Sequence, residues 1–159
     1  MKIKNFLNII LISTALLIFS SCGYKNVNLQ NENNISINEI KISGNKKIGY
    51  ILKNEILLIS SNQGNNKLNL NLKINKTKTI NDKNTSGKII KYDLNLNVDI
   101  FIENLNNSKT TNKNFFKSVS FDVSKKHSDT INNEKNNTKN LTNQIAEEIV
   151  NYLRIYSRN

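Results

Sequence analysis

Two segments of the chain alternate apolar and polar residues so regularly that each is expected to form a strand with one buried face. In "LNLNLKIN" (68–75), leucine or isoleucine alternates with asparagine or lysine. In "KYDLNLNVDIFI" (91–102), the apolar positions are Tyr92, Leu94, Leu96, Val98, Ile100 and Ile102. Successive side chains of a strand point to opposite faces. The pattern therefore predicts a sheet with one face in the core and one face in water.

Two further segments are predicted to complete this sheet. "FFKSVSFDVS" (115–124) carries apolar residues at Phe115, Val119, Phe121 and Val123. The three strands from residue 68 onwards are separated by short polar turns, which favours an antiparallel meander. The earlier "ISINEIKIS" (35–43) is rich in isoleucine but changes phase halfway, which fits a strand with a bulge or a strand that starts late.

Helical spacing is expected in two places. After a capping Asn45, apolar residues recur with a helical period up to Ile59, and Gly64 follows as a C-terminal cap or turn. "LTNQIAEEIVNYLRIY" (141–156) has an apolar stripe and is predicted to be the closing helix. The asparagine-rich residues 132–140 before it have weak helix propensity, so the pattern leaves the start of this helix undetermined by several residues. His127 is assigned to a polar loop.

These elements predict the fold class. Their order is strand-helix-strand-strand-strand-helix, and one face of the sheet stays wet. The expected architecture is therefore an α+β two-layer sandwich of about four strands with both helices packed on one face. A single domain is predicted for residues 35–159.

The N-terminal residues indicate export. Lys2 and Lys4 precede an apolar run of fourteen residues, 6–19, which is the length of a signal-peptide core. Two serines then lead to Cys22, the only cysteine. This pattern predicts a lipoprotein signal peptide over 1–21, lipidation of Cys22 and a lipidated tether over 22–34. An ordinary secretory signal or a membrane-anchoring helix is the alternative.

The net charge is strongly positive. It is +11 for the chain, and removal of Lys2 and Lys4 with the signal leaves +9. An exported protein rarely meets nucleic acid, so we expect no nucleic-acid partner and an anionic partner in the envelope, such as a phosphorylated lipid headgroup. The alternative is a solvated surface, because a composition dominated by Asn, Lys and Ile is also what an AT-rich genome produces.

Residues that could carry catalysis are scarce. His127 is the only histidine, and no cysteine or histidine cluster has metal-ligand spacing. The sequence has no glycine-rich phosphate loop and no nucleophile elbow. Asp93 and Asp99 share a wet strand face but lie about 20 Å apart. We therefore predict that the protein is not an enzyme and uses no cofactor or metal.

Four stretches together resemble the LPS-assembly lipoproteins of the LptE (RlpB) family, in which LPS denotes lipopolysaccharide. They are the Cys22-Gly23-Tyr24 start, the strand "IIKYDLNLNV", the aromatic strand "SVSFDVS" and the closing helix "QIAEEIVNYLRIY". The similarity in order and spacing runs over residues 22–156. It implies an outer-membrane lipoprotein on the periplasmic side, and Gly23 after the cysteine agrees with that destination.

The resemblance also implies a role. Members of the family plug the lumen of the large outer-membrane LPS-assembly β-barrel, assist its assembly and bind LPS during delivery to the outer leaflet. The expected partners are therefore that barrel, LPS and the outer membrane. The predicted LPS-binding residues surround the turn between the second and third strands: Lys76, Lys78, Lys83, Lys88 and Lys91, with Lys125 and Lys126 second. Lys76 and Lys78 are expected to end the second strand, Lys83 to lie in the turn, and Lys88 and Lys91 to begin the third strand. The alternative function is an envelope adaptor or auxiliary subunit of another lipid transport system.

Overall fold

The computed structural model describes residues 35–158. The predicted signal peptide 1–21, lipidated Cys22 and tether 22–34 lie outside the described residues. The elements, in chain order, are β1 (Ile35–Gly44), α1 (Lys46–Leu57), β2 (Asn66–Lys83), β3 (Ile89–Asn104), β4 (Thr110–Asp122) and α2 (His127–Tyr156). This order confirms the predicted α+β fold.

The four strands form one mixed sheet in the order β1-β2-β3-β4. The pairs β2–β3 and β3–β4 are antiparallel, which confirms the predicted meander. β1 and β2 are parallel, because α1 returns the chain to the end of the sheet where β1 starts before β2 begins. The second half of β2 extends beyond β1, whose last residue, Gly44, pairs with Ile74.

The phase change in β1 is a bulge and not a late start, since the strand begins at Ile35. The register with β2 shifts between Ile37 and Glu39, so one residue is skipped. Isoleucines that a regular strand would place on opposite faces therefore point to the same side. Ile35 is buried, and Ile40 and Ile42 pack partly buried against the core.

The core lies between the sheet and the helices. The predicted inward positions of β2 and β3 are buried, from Leu68 to Ile74 and from Leu94 to Ile102. They meet the apolar stripe of α2, which includes Ile145, Ile149 and Leu153. α1 packs on β1 and β2, whereas α2 packs on β3 and β4. The opposite face of the sheet carries no helix among residues 35–158.

Local backbone features fix α1 close to the sheet. The side chain of Asn45 accepts a hydrogen bond from the Ile48 N–H at 3.2 Å, as expected of a cap. Gly44, with φ +80°, turns the chain from β1 into α1. Gly49 faces the Ile42 side chain so closely that a β-carbon would collide with it. Gly64 lies in a turn after the helix, where its N–H donates to Ser61 O at 3.1 Å.

The closing helix is much longer than the sequence pattern predicts. α2 begins at His127, so the asparagine-rich residues 132–140 are helical, and His127 is the exposed first helical residue and lies in no loop. Polar residues occupy the inner positions of this first half. The Thr130 hydroxyl accepts a hydrogen bond from the Ser124 N–H at 2.9 Å, and Glu134 binds lysines of β2. Tertiary contacts thus outweigh the weak propensity.

No helix among residues 35–158 combines the length and the apolar character needed to cross a membrane.

Candidate functional site

The structure places Lys76 and Lys78 differently from the sequence prediction. They do not end β2, which continues to Lys83. Lys76 is seven residues before that end, or about 23 Å along the strand. Both side chains lie on the helix side of the sheet, in the positions that follow Leu72 and Ile74. Beyond Ile74 both faces of the strand carry mostly polar residues, so the alternating pattern does not predict this part of β2.

These two lysines share one carboxylate. Lys76 Nζ and Lys78 Nζ lie 2.8 and 2.7 Å from the two carboxylate oxygens of Glu134. Hydrogen bonds from Lys76 first and Lys78 second lower the pKa of Glu134 below its usual range. Lys78 Nζ is also 4.9 Å from the centre of the Tyr92 ring. The group ties the first half of α2 to β2 and retains one net positive charge.

The other predicted lysines do gather at one end of the sheet. Because β3 is antiparallel to both neighbours, its start lies beside the end of β2 and the end of β4. Lys91 pairs with Asp122 across the β3–β4 ladder, and their charged groups are 3.8 Å apart. We call the following set the hairpin-end lysines: Lys83, Lys88, Lys91, Lys125 and Lys126.

The turn that carries part of this set is ordered by one side chain. Asn84 Oδ1 accepts hydrogen bonds from the N–H groups of Ser86 and Lys88 at 3.1 and 2.9 Å. Gly87 adopts φ +81°, and its N–H donates to Asn84 O at 2.9 Å. The turn therefore spans 84–88, and Lys83, predicted to lie within it, is the last residue of β2.

A groove that the sequence did not reveal lies between the helices. It opens where α1 begins, beside the part of β2 that extends beyond β1, and has a volume of about 800 Å³. Ile48 and Thr142 are buried at its base, whereas Ile51 and Ile131 are 37% and 51% exposed along its sides. We call this site the inter-helix groove.

The lining of the inter-helix groove is basic. Four lysines and one glutamate contribute to it: Lys47, Lys76, Lys135, Lys139 and Glu134. Within residues 35–158, no ion pair joins Lys47, Lys135 or Lys139 to a carboxylate. Sequence reasoning missed this site because the apolar pattern supports the closing helix only from residue 141 and leaves its start undetermined within residues 132–140. One signal for the longer helix was present in the sequence: Thr130, Glu134 and Thr138 continue the inward stripe of α2 at helical spacing, although they are polar.

The helix-free face of the sheet is polar and internally hydrogen-bonded. Asn114 Nδ2 donates to Asn97 and Asp99 at 2.7 and 2.6 Å. Hydrogen bonds from Ser120 first and Asn81 second lower the pKa of Asp93. These carboxylates act as acceptors for neighbouring side chains, and no group of three potential metal ligands occurs among residues 35–158. We call this surface the polar sheet face.

The comparisons with known proteins bear on the fold. No protein-family model and no curated protein sequence matches this chain. Its structure is similar to that of rare lipoprotein B from Shewanella oneidensis, with a TM-score of 0.59, 12% identity, and coverage of 77% of this chain and 98% of that one.

Two further solved structures are similar to the chain. The minor lipoprotein of Acinetobacter baumannii gives a TM-score of 0.54 at 11% identity and covers 76% of this chain and 93% of its own. Lipoprotein B of Nitrosomonas europaea gives a TM-score of 0.54 at 12% identity, and the match covers 82% of this chain and 91% of that one. The chain therefore has the fold of the rare lipoproteins, which confirms the sequence resemblance at the level of the fold.

Proposed function

We propose that this chain is an envelope lipoprotein of the LPS-assembly type. In this proposal Cys22 carries the lipid and holds the protein at the periplasmic side of the outer membrane. The folded domain plugs the LPS-assembly β-barrel, assists its assembly and binds LPS. The observation that carries the proposal is the shared fold: three rare or minor lipoproteins match the chain over at least 76% of its length.

The polar sheet face supports the role of a plug. The lumen of an outer-membrane barrel is polar, whereas its outer surface meets lipid. A domain with apolar side chains enclosed and a broad hydrogen-bonded polar face suits such a lumen. Within the described strands β3 and β4, the large apolar residues exposed on that face are Phe101 and Phe116, which are not cross-strand partners.

The hairpin-end lysines support the binding of LPS. Phosphate groups of lipid A are anionic, and lysine binds phosphate as a compact point charge. Within residues 35–158, only Lys91 of this set forms an ion pair, and that pair is exposed. The remaining charges are thus available to a polyanionic headgroup. We therefore propose a binding function without enzymatic activity, supported by the polar sheet face and the hairpin-end lysines.

Depletion of the protein in its own cells tests this function. Loss of an assembly partner leaves the barrel incompletely folded, so we expect the amount of correctly assembled LPS-assembly barrel to fall. Other barrel proteins of the same membrane serve as the control. Unchanged assembly of the LPS-assembly barrel would favour the adaptor function in another lipid transport system.

A further inference from the structure

The inter-helix groove has the chemistry of a lipid site. Its sides present Ile51 and Ile131, which are exposed to solvent although large and apolar. Its rim presents the ammonium groups of Lys47, Lys135 and Lys139. An apolar slot with lysines from both helices in its lining matches a molecule that joins a hydrocarbon chain to an anionic group.

The architecture explains why the groove is open. α1 starts at Lys46, level with the end of β1, while β2 continues for nine residues beyond Ile74. α2 packs mainly on β3 and β4, and its Glu134 side chain contacts Lys76 and Lys78 of β2. The helix layer is therefore incomplete above the extended part of β2, where Lys76 and Glu134 contribute to the lining.

The charge of the lining selects the ligand class. Glu134 is already neutralised by Lys76 and Lys78. The three rim lysines lack ion pairs within residues 35–158 and leave a local positive excess. An amphiphile without phosphate would use the isoleucines alone, whereas a phosphate on the lipid would also satisfy the rim.

We propose that the inter-helix groove binds one acyl chain of a phosphorylated lipid, with the phosphate held by Lys47, Lys135 and Lys139. The proposal rests on the proposed function only because that function places the protein at a membrane that supplies such lipids. The groove lies on the helix side of the domain and is distinct from the hairpin-end lysines.

Photo-cross-linking of the full-length protein in cells tests this site. A benzophenone amino acid replaces Ile131 or Ile51, and the cells are grown with radioactive phosphate. Phe116, which is 55% exposed on the polar sheet face, is the control position. We expect a phosphate-labelled adduct from positions 131 and 51 and none from 116, and mass spectrometry of the modified peptide should reveal esterified fatty acid.

The labels separate the possible occupants. Acyl groups on Cys22 of the chain itself would carry no phosphate, and inorganic phosphate has no C–H bond for benzophenone to attack. An adduct without phosphate, a cross-link to a protein, or no adduct at either position would overturn the proposal.

Matched variants test the role of the charges. The triple variant Lys47→Gln, Lys135→Gln, Lys139→Gln should lower the adduct about tenfold, if three partly exposed charges together contribute about 1.4 kcal/mol. The control triple Lys67→Gln, Lys73→Gln, Lys109→Gln removes the same charge from exposed lysines outside the groove and should change the adduct less than twofold. Equal losses in the two triples would overturn the phosphate role.

The outcomes also separate this site from the proposed function. LPS capture without an adduct at positions 51 and 131 would overturn the groove and leave the function standing. A phospholipid adduct in cells where no barrel accompanies the protein would support the groove and contradict the function.

Discussion

At the scale of single residues, Glu134 connects the least predictable part of the fold to the sheet. Its carboxylate and the side chains of Lys76 and Lys78 are 23%, 23% and 39% exposed, so solvent screens the interaction only in part. Such an ion-pair arrangement contributes modestly to the free energy of unfolding. Loss of the carboxylate also leaves the positive charges of the two lysines side by side.

Replacing Glu134 with Gln should therefore destabilise the protein by about 0.5–1 kcal/mol at pH 7. The folded state lowers the pKa of Glu134 from its ordinary value of 4.5. The contribution is present above that value and is lost as the pH falls through the folded-state pKa. Urea unfolding at pH 7 and at decreasing pH should show a difference that shrinks below pH 4.5. Glu147→Gln, an exposed change on the same helix, is the control, and a pH-independent difference would contradict the ion-pair interpretation.

Lys126, the residue immediately before α2, is unfavourable for the stability of the helix. Lys126 occupies the cap position without a side-chain cap, and its charge lies at the positive end of the helix dipole. A basic residue at such a position is consistent with a binding role that opposes stability.

Lys126→Asp should raise the free energy of unfolding by about 1 kcal/mol, because aspartate supplies a cap acceptor and a favourable charge. Thermal and urea unfolding measure this change. Lys126→Ala removes the charge without supplying an acceptor and should give a smaller gain. Equal stability of the Asp and Ala variants would show that no cap forms.

At the scale of elements, the sequence predicts the parts whose apolar pattern is complete. The alternation from Leu68 to Ile74 and from Tyr92 to Ile102 predicts both the strands and the buried face, because one face is apolar and the other is polar. The bulge of β1 is equally visible, since the isoleucines change phase. Cross-strand hydrogen bonding does not require apolar residues. β2 therefore continues to Lys83, beyond the alternating stretch 68–75 from which it was predicted.

The start of α2 shows the same limit for helices. Each of its inner polar positions has a partner. The Thr130 hydroxyl accepts from the Ser124 N–H, the Thr138 hydroxyl donates to Glu134 O at 2.8 Å, and Glu134 binds Lys76 of β2. A hydropathy pattern cannot register such contacts. The inter-helix groove depends on this half of the helix, so sequence reasoning could not place it.

The hairpin-end lysines should act together in LPS capture. Replacement of all five by Gln should lower capture about tenfold if each contributes at least about 0.3 kcal/mol. Raised salt should weaken wild-type capture, because exposed charges are screened beyond about 8 Å at physiological ionic strength. Lys76 and Lys78 stay unchanged, since their loss would disturb Glu134 and confuse folding with binding.

A matched variant controls for total charge in this experiment. It replaces five lysines outside the hairpin end with Gln: Lys46, Lys53, Lys67, Lys73 and Lys109. Circular dichroism should show equal folding of the two variants. Equal capture by both and by wild type would mean that the hairpin end is only a solvated surface.

At the scale of the whole molecule, the two ends of the sheet differ. The described chain begins at Ile35, which pairs with Asn66 at the start of β2, and Asn66 Nδ2 donates to Ser157 O at 2.9 Å. The hairpin turn lies at the other end of β2, about 60 Å away along the 18-residue strand. The proposed lipid anchor therefore joins the domain at the end opposite the hairpin-end lysines.

Cys22→Ala tests the anchor. The thiol is the only group in the sequence that can form the expected thioether with diacylglycerol. The variant should lose labelling by a clickable fatty acid and should keep its signal peptide uncleaved by the lipoprotein signal peptidase. Wild type labelled in parallel is the control, and undiminished labelling of the variant would refute lipidation at this residue.

The central claim, that the chain is the plug of an LPS-assembly barrel, is tested most directly by the composition of the native complex. The tagged protein is extracted from the outer membrane in a mild detergent that keeps other barrel complexes intact. Quantitative mass spectrometry of the purified sample should show one large β-barrel protein in a near-equimolar amount. Elution of the protein alone, or with another lipid transport system in place of that barrel, would contradict the claim.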